Sequence, residues 1–169
     1  MFPSLLLALA FVPMAFEARL AAAHDRALRA AGAREPLHDV FPLMQVVYPA
    51  AFLAMAFEAW SRGADANMVF IAGLTVFALA KWIKYWAIAT LGRRWSFRVL
   101  VLPGSPLITT GPYRFMRHPN YLGVIGEIGG MAVMAQAPIA GITSILVFAA
   151  VIAMRIRVEE RALDRSDSP

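Results

Sequence analysis

The chain has 169 residues, of which 60% are hydrophobic and only 16% charged, and its mean hydropathy is +0.61. A soluble domain carries about 25% charged residues, so this composition indicates a single-domain integral membrane protein. The sequence contains no cysteine, which excludes disulfides, thiolate metal sites and a cysteine nucleophile. The pI of about 10.2 comes from cations that border apolar stretches. We therefore expect no nucleic-acid partner.

Five apolar stretches follow one another along the chain. The first three are long enough to cross a hydrocarbon core of about 30 Å; they cover residues 2–23, 40–60 and 68–91. The last two, residues 122–136 and 139–156, are shorter and are separated only by Ala137-Pro138. This pattern predicts an all-α, polytopic membrane protein with about five transmembrane helices, of which the last two form a C-terminal helical hairpin. Residues 24–39 read as a polar loop, and residues 164–169 as a disordered tail.

The basic residues indicate an orientation in the membrane. All 16 Lys and Arg residues except Arg62 fall on the side of the bilayer that holds residues 19–39, 81–117 and the C-terminal end. Basic loops are retained on the cytosolic side of membranes. We therefore expect an external N-terminus, a cytosolic C-terminus and an active site on the cytosolic face.

Three of the charged residues within the apolar stretches allow more than one interpretation. Lys81 and Lys84 share a helical face, and two interpretations stay open: snorkelling at the interface, or a cationic wall of a functional site. Glu127 lies about two turns into a membrane helix, where a carboxylate is costly unless it is paired or functional. It would accept a proton, hold a cationic ligand, or pair with Lys81 or Lys84.

The histidines in the predicted polar loop fit no metal site. His24 and His38 lie beside acidic residues, but their spacing matches no known metal-ligand motif. We interpret both as solvated loop histidines and predict no metal.

Residues 107–127, LITTGPYRFMRHPNYLGVIGE, hold an unusually high number of polar side chains at the start of an apolar glycine-rich helix. His118 precedes Pro119, a residue suited to the first turn of a helix. The free backbone N–H groups of that turn, next to His118 and Arg117, favour a ligand carboxylate. This segment is therefore the candidate active-site segment.

The predicted hairpin brings a second pair of residues to the same place. If the turn is centred on Ala137-Pro138, Asn120 is level with Arg155, and Glu159 lies near the height of Met116. Arg155 and Glu159 are four residues apart on one helix face, which by itself indicates a structural salt bridge. Opposite His118, the pair is better interpreted as part of a site.

Two blocks of the sequence carry a family resemblance. GPYRFMRHPNYLG, residues 111–123, is followed after the hairpin by an Arg-x-x-x-Glu-Glu run, residues 155–160. In order and spacing they resemble the isoprenylcysteine carboxyl methyltransferase family, which is similar to the phospholipid N-methyltransferases. The resemblance covers residues 81–163. It implies a single methyltransferase domain, in which N-terminal transmembrane helices (residues 1–80) precede a catalytic region (residues 81–163).

The resemblance implies an integral membrane enzyme that transfers the methyl group of S-adenosylmethionine (SAM) to the carboxylate or hydroxyl oxygen of a lipophilic acceptor. Arg155, Glu159 and His118 would be the catalytic residues, with Arg155 facing the acceptor. The residues that would bind SAM are Leu107, Ile108, Tyr113, His118, Pro119, Asn120, Tyr121 and Glu159.

The expected class of acceptor is based on a difference between this sequence and the family pattern after the Glu-Glu run. Relatives continue past the Glu-Glu run with an amphipathic stretch containing glycine and tyrosine, whereas this sequence continues as LDRSDSP. The compact form is similar to bacterial members that act on long-chain alkylpyrones or alkylresorcinols. We expect such a lipid acceptor, and an isoprenylcysteine stays open as the alternative.

Two other functions stay open. Membrane sterol reductases that use NADPH share an HPxY-like motif, although the sequence has no glycine-rich dinucleotide fingerprint. A non-enzymatic scaffold would only pack helices, and would not explain why polar residues converge at one place.

Overall fold

A computed structural model describes residues 2–36 and 39–166, and within them the fold is all-α, as predicted. The five helices are α1 (Phe2–Ala30), α2 (Phe41–Ser61), α3 (Met68–Leu91), α4 (Pro119–Met134) and α5 (Pro138–Ser166). Two short 3₁₀ turns, Gly92–Arg94 and Gly111–Arg114, lie in the long connection between α3 and α4. We call residues 95–101 of that connection the connector.

Four of the five helices, α1, α2, α3 and α5, are long and apolar enough to cross a membrane. The fifth, α4, has 16 residues, and at 1.5 Å per residue it is about 24 Å long, shorter than a hydrocarbon core of about 30 Å. The expectation that both arms of the C-terminal hairpin are short is therefore right for α4 and wrong for α5. The second arm is long because α5 continues past its apolar part as a charged helix.

The ends of the helices differ from the prediction. The first helix continues to Ala30, so residues 24–30 of the predicted polar loop are helical. His24 lies in this extension, with Nδ1 2.8 Å from the carbonyl oxygen of Trp95, and is not a solvated loop residue. His38 lies outside the described residues. Residues 164–166, predicted to be disordered, belong to α5, and residues 167–169 lie outside the described range.

Glycines let α4 approach the backbone of α3. A Cβ atom on Gly130 would lie 2.5 Å from the backbone nitrogen of Phe77, and one on Gly123 would lie 2.8 Å from Cβ of Lys84. Real Cβ atoms essentially never make such short contacts, so only glycine allows this helix pair to pack. The contact places the start of α4 beside the end of α3.

Four buried charges join three helices and form what we call the four-charge cluster. Lys81 Nζ lies 2.8 Å from Glu17 and 3.0 Å from Glu127, and Lys84 Nζ lies 2.6 Å from Glu17 and 3.2 Å from Glu127. Each carboxylate on α1 and α4 thus contacts both ammonium groups on α3. Tyr48 of α2 donates a hydrogen bond to Glu127 and connects a fourth helix.

This cluster decides between the interpretations of its members. Lys81 and Lys84 are buried and ion-paired, so snorkelling at the interface is wrong for both. Glu127 is fully buried and paired with the two lysines, which was one of its three predicted roles. Paired charges avoid most of the cost of isolated ions in an apolar medium.

The glycine packing leads to a matched test. We expect Gly130→Ala to lower the melting temperature in detergent, because the new methyl group overpacks against Phe77 at a cost of about 1–3 kcal/mol. Gly129→Ala is the control, since a Cβ there has no neighbour within 4 Å. Alanine at that position should be neutral, or stabilise the helix by about 0.5–1 kcal/mol. Equal melting temperatures for the two variants would contradict this packing.

Candidate active site

The start of α4 and the last third of α5 meet at one end of the bundle. Tyr121 donates a hydrogen bond of 2.9 Å to Glu159. Nδ1 of His118 lies 3.9 Å from the same carboxylate, and the His118 and Tyr121 rings stack with centroids 5.4 Å apart. The predicted juxtaposition of the HPNY segment with Glu159 is therefore confirmed. We call His118, Tyr121 and Glu159 the mouth cluster.

The 3₁₀ turn before α4 contributes another aromatic hydroxyl. Burial, reinforced by the negative charge of Glu159, raises the pKa of Tyr113, so its hydroxyl group remains a hydrogen-bond donor. Gly111 begins this turn at a φ of +57° and packs against Thr90 of α3, so a side chain at 111 would be strained and would clash.

Two more residues assigned to the cofactor precede the turn. Leu107 is exposed and Ile108 is half-buried in the irregular chain between the connector and the turn. Their role in binding SAM stays a prediction.

Arg155 is buried and makes three polar contacts. Its Nη1 lies 2.7 Å from Oδ1 of Asp39, its Nη2 donates to the carbonyl oxygen of Phe97 at 2.7 Å, and its Nε donates to the Tyr121 hydroxyl at 3.3 Å. The guanidinium thus joins α5 to the start of α2, to the connector and to the mouth cluster. The ion-pair partner of Arg155 is Asp39, and not Glu159 as the four-residue spacing indicated.

Asp39 is the residue that sequence reasoning missed. Besides Arg155, it accepts hydrogen bonds from the backbone N–H of Phe41 at 3.1 Å and of Val99 at 2.9 Å. Its side chain is 5% exposed. Its place just before α2 was the available signal, because aspartate is suited to the start of a helix; no spacing in the sequence connects it to Arg155.

A cavity of about 380 Å³ lies next to the mouth cluster. Its walls are mostly apolar, and include Met14, Ala18, Met44, Val124 and Phe148 from four helices. Polar groups are present at several points of the wall; these are Asp25, Gln45, Tyr48, Lys84, Arg98, Asn120 and Tyr121. Through Tyr48 and Lys84 the cavity reaches the four-charge cluster, and through Tyr121 it reaches the mouth cluster.

The connector lines the cavity with Phe97 and Arg98 and is held by ion pairs. Arg98 Nη1 lies 2.8 Å from Glu35, its Nε lies 3.5 Å from Asp25, and its guanidinium lies over the Phe41 ring at 4.5 Å. Partial burial opposes ionisation of Glu35, but hydrogen bonds from Arg98 and Arg29 outweigh it and lower the Glu35 pKa. Glu35 therefore remains a carboxylate at neutral pH and keeps the connector attached.

Comparison with known proteins decides the family. The profile of the isoprenylcysteine carboxyl methyltransferase (ICMT) family matches residues 71–165, which include the mouth cluster and Arg155. The chain belongs to the ICMT family.

Individual members and relatives cover different parts of the chain. The uncharacterised Bacillus subtilis protein YpbQ is 30% identical over 159 residues, which are 94% of this chain and 95% of YpbQ. An uncharacterised Haemophilus influenzae protein is 26% identical over 83% of this chain and 82% of its own length. The Arabidopsis thaliana protein-S-isoprenylcysteine O-methyltransferase B is 34% identical over 93 residues, 54% of this chain and 47% of its own. No solved structure matches the chain significantly.

The Arg155–Asp39 pair leads to a test by paired substitution. Asp39→Asn leaves a buried guanidinium without its counter-charge, and breaking such a pair costs about 3–5 kcal/mol. We expect a lower melting temperature in detergent for this variant. Asp39→Asn/Arg155→Met removes both charges and should melt above the single variant. A double variant that melts at or below the single variant would contradict the pairing.

Proposed function

We propose that this protein is an integral membrane, SAM-dependent methyltransferase that methylates the carboxylate or hydroxyl oxygen of a lipophilic acceptor. Membership of the ICMT family supports methyl transfer. The observation that carries the proposal is the position of Tyr121, which belongs both to the mouth cluster and to the cavity wall. A polar cofactor and an apolar acceptor would thus meet on opposite sides of one side chain.

The mouth cluster fits the polar parts of SAM. His118 has a buried Nε2 atom without a hydrogen-bond partner among the described residues, which leaves it available to a ligand carboxylate. The Glu159 side chain is 32% exposed and suits a ligand ammonium or hydroxyl group. The Tyr113 hydroxyl group adds a donor. When bound, SAM supplies a methyl group on a positively charged sulfur that is open to attack by an oxygen nucleophile.

The cavity suits the acceptor. Its volume falls in the range of about 300–1,000 Å³ that is typical of small-molecule sites, and its walls combine apolar surface with a few polar groups. Ala18 and Gln45, on α1 and α2, line it and are both exposed. An acceptor dissolved in the bilayer would enter between these two helices.

Alignment would account for most of the catalysis. An acceptor that is already anionic needs no general base, so the protein has to hold the nucleophile and the methyl carbon in line in a site without water. Arg155 orients Tyr121 through its Nε and keeps the connector over the cavity through the carbonyl oxygen of Phe97. A carboxylate or phenolate acceptor that replaced one of these contacts would be held by charge-assisted hydrogen bonds.

We also propose that the mouth cluster lies on the cytosolic side of the membrane. The excess of Lys and Arg at the end of the bundle that carries the mouth cluster supports a cytosolic location for that end. SAM from the cytosol would then reach the mouth cluster directly, while the acceptor arrives from the membrane.

Calorimetric titration of SAM and S-adenosylhomocysteine into the detergent-purified protein tests the cofactor assignment. We expect binding by the wild type and a loss of affinity of about tenfold or more for His118→Ala and for Glu159→Gln, because each loses a charge-assisted contact. Asp65→Asn, an exposed carboxylate at the opposite end of the bundle, should bind like the wild type.

NADPH provides the contrasting ligand. Binding of NADPH and no binding of SAM by the wild type would overturn the methyltransferase in favour of a reductase. Equal SAM affinity for the wild type and Glu159→Gln would overturn the role of the carboxylate.

A further inference from the structure

Asn120 lies on the wall of the cavity. The resemblance assigned it to SAM together with its neighbours His118, Pro119 and Tyr121. In the structure it lines the cavity beside Tyr121 and Val124. On a helix with 3.6 residues per turn, positions 120, 124 and 127 share one face. Glu127 on that face accepts a hydrogen bond from Tyr48, so this is the face that α4 presents to α2 and the cavity.

The amide of Asn120 has hydrogen-bonding capacity left. Its Oδ1 atom is buried and has no hydrogen-bond partner among residues 2–36 and 39–166. Three other polar groups of the cavity wall are already engaged, because Tyr48 donates to Glu127, Lys84 to Glu17, and Tyr121 to Glu159. A buried polar group without a partner costs about 1–3 kcal/mol, which a ligand that supplies the partner would recover.

The chemistry of the Asn120 amide defines which ligand group it would bind. Oδ1 accepts a hydrogen bond, and a rotation of the amide by 180° presents the Nδ2 donor in its place. Much of the rest of the wall, including Val124, Met44 and Phe148, is apolar. The amide therefore suits an isolated hydroxyl or carbonyl group carried by an otherwise apolar molecule.

We propose that Asn120 is a specificity-determining residue on the acceptor side, which hydrogen-bonds a hydroxyl or carbonyl group on the head of the acceptor. This inference is based on the proposed function, since it takes the cavity as the acceptor site. Asn120 would select amphiphiles whose head carries a hydrogen-bonding group and would disfavour those whose head is fully capped. It would leave the affinity for SAM unchanged.

Two probes with the same ring and alkyl chain, one with hydroxyl groups and one in which they are methylated, test the inference. The wild type, Asn120→Leu and Gln45→Leu are placed in nanodiscs with the same mole fraction of 5-pentadecylresorcinol or of its dimethyl ether. The shift in melting temperature is then measured. Gln45→Leu is the matched control. It removes a second amide from the cavity wall, but Gln45 is exposed, whereas Oδ1 of Asn120 is buried. The SAM dissociation constant of each protein is measured beside these shifts, and also shows that each variant is folded.

We expect the resorcinol to stabilise the wild type and Gln45→Leu more than the ether does. Asn120→Leu should lose this preference and keep its SAM dissociation constant within about twofold, with Asn120→Ala as the smaller substitute if leucine disturbs packing. A wild type without the preference, or an Asn120→Leu variant that keeps it, would overturn the inference. So would a loss of SAM affinity in Asn120→Leu as large as that of His118→Ala. Absence of SAM binding by the wild type is a separate result, which would count against the proposed function itself.

Discussion

The four-charge cluster is the constraint on which the rest of the structure depends. Two carboxylates and two ammonium groups lie in the apolar part of the bundle, where an unpaired charge would cost several kcal/mol. Each is paired only when Glu17, Glu127 and the two lysines of α3 reach the same place. The register of α1 and α4 against α3 is therefore set by charge, and the glycines of α4 allow the distance that this register requires.

This register has a direct consequence for the site. With α4 held against α3, its start contacts the charged last third of α5 through Glu159. Tyr121 then lies between Glu159 on one side and the cavity on the other. Arg155 completes the arrangement by joining Tyr121, Asp39 and the carbonyl oxygen of Phe97. A continuous set of polar contacts thus runs from the start of α2 to the mouth cluster.

The two sides of the site come from different parts of the chain. The mouth cluster lies wholly within residues 71–165, the part that matches the ICMT family profile. Much of the cavity wall comes from α1 and α2, which lie before that part. Under the proposed function, cofactor chemistry would be a property of the family, while the choice of acceptor would depend on the first two helices and on single wall positions such as Asn120.

The sequence by itself determined the class of protein, the number of helices and the membership of the mouth cluster. Apolar stretches of the right length predict membrane helices because a bilayer has a fixed thickness. The short turn at Ala137-Pro138 brings His118 and Glu159 together because antiparallel helices joined by a short turn stay level with each other. Helix length and hairpin register depend only on residues that are near each other in the sequence, so both can be predicted from the sequence.

Only the tertiary structure decided the partners of the buried charges. Glu17 and Lys84 are 67 residues apart, and Asp39 and Arg155 are 116 apart, so no spacing connects them. The lysines of α3 have the sequence pattern of interfacial residues, and their burial follows from the close packing of α4 on α3 and from the ion pairs with Glu17 of α1. Asn120 belongs to a motif whose residues the resemblance assigns to the cofactor, but in the packed bundle it lines the cavity. Pairing across the chain and the direction of a side chain are properties of the packed bundle.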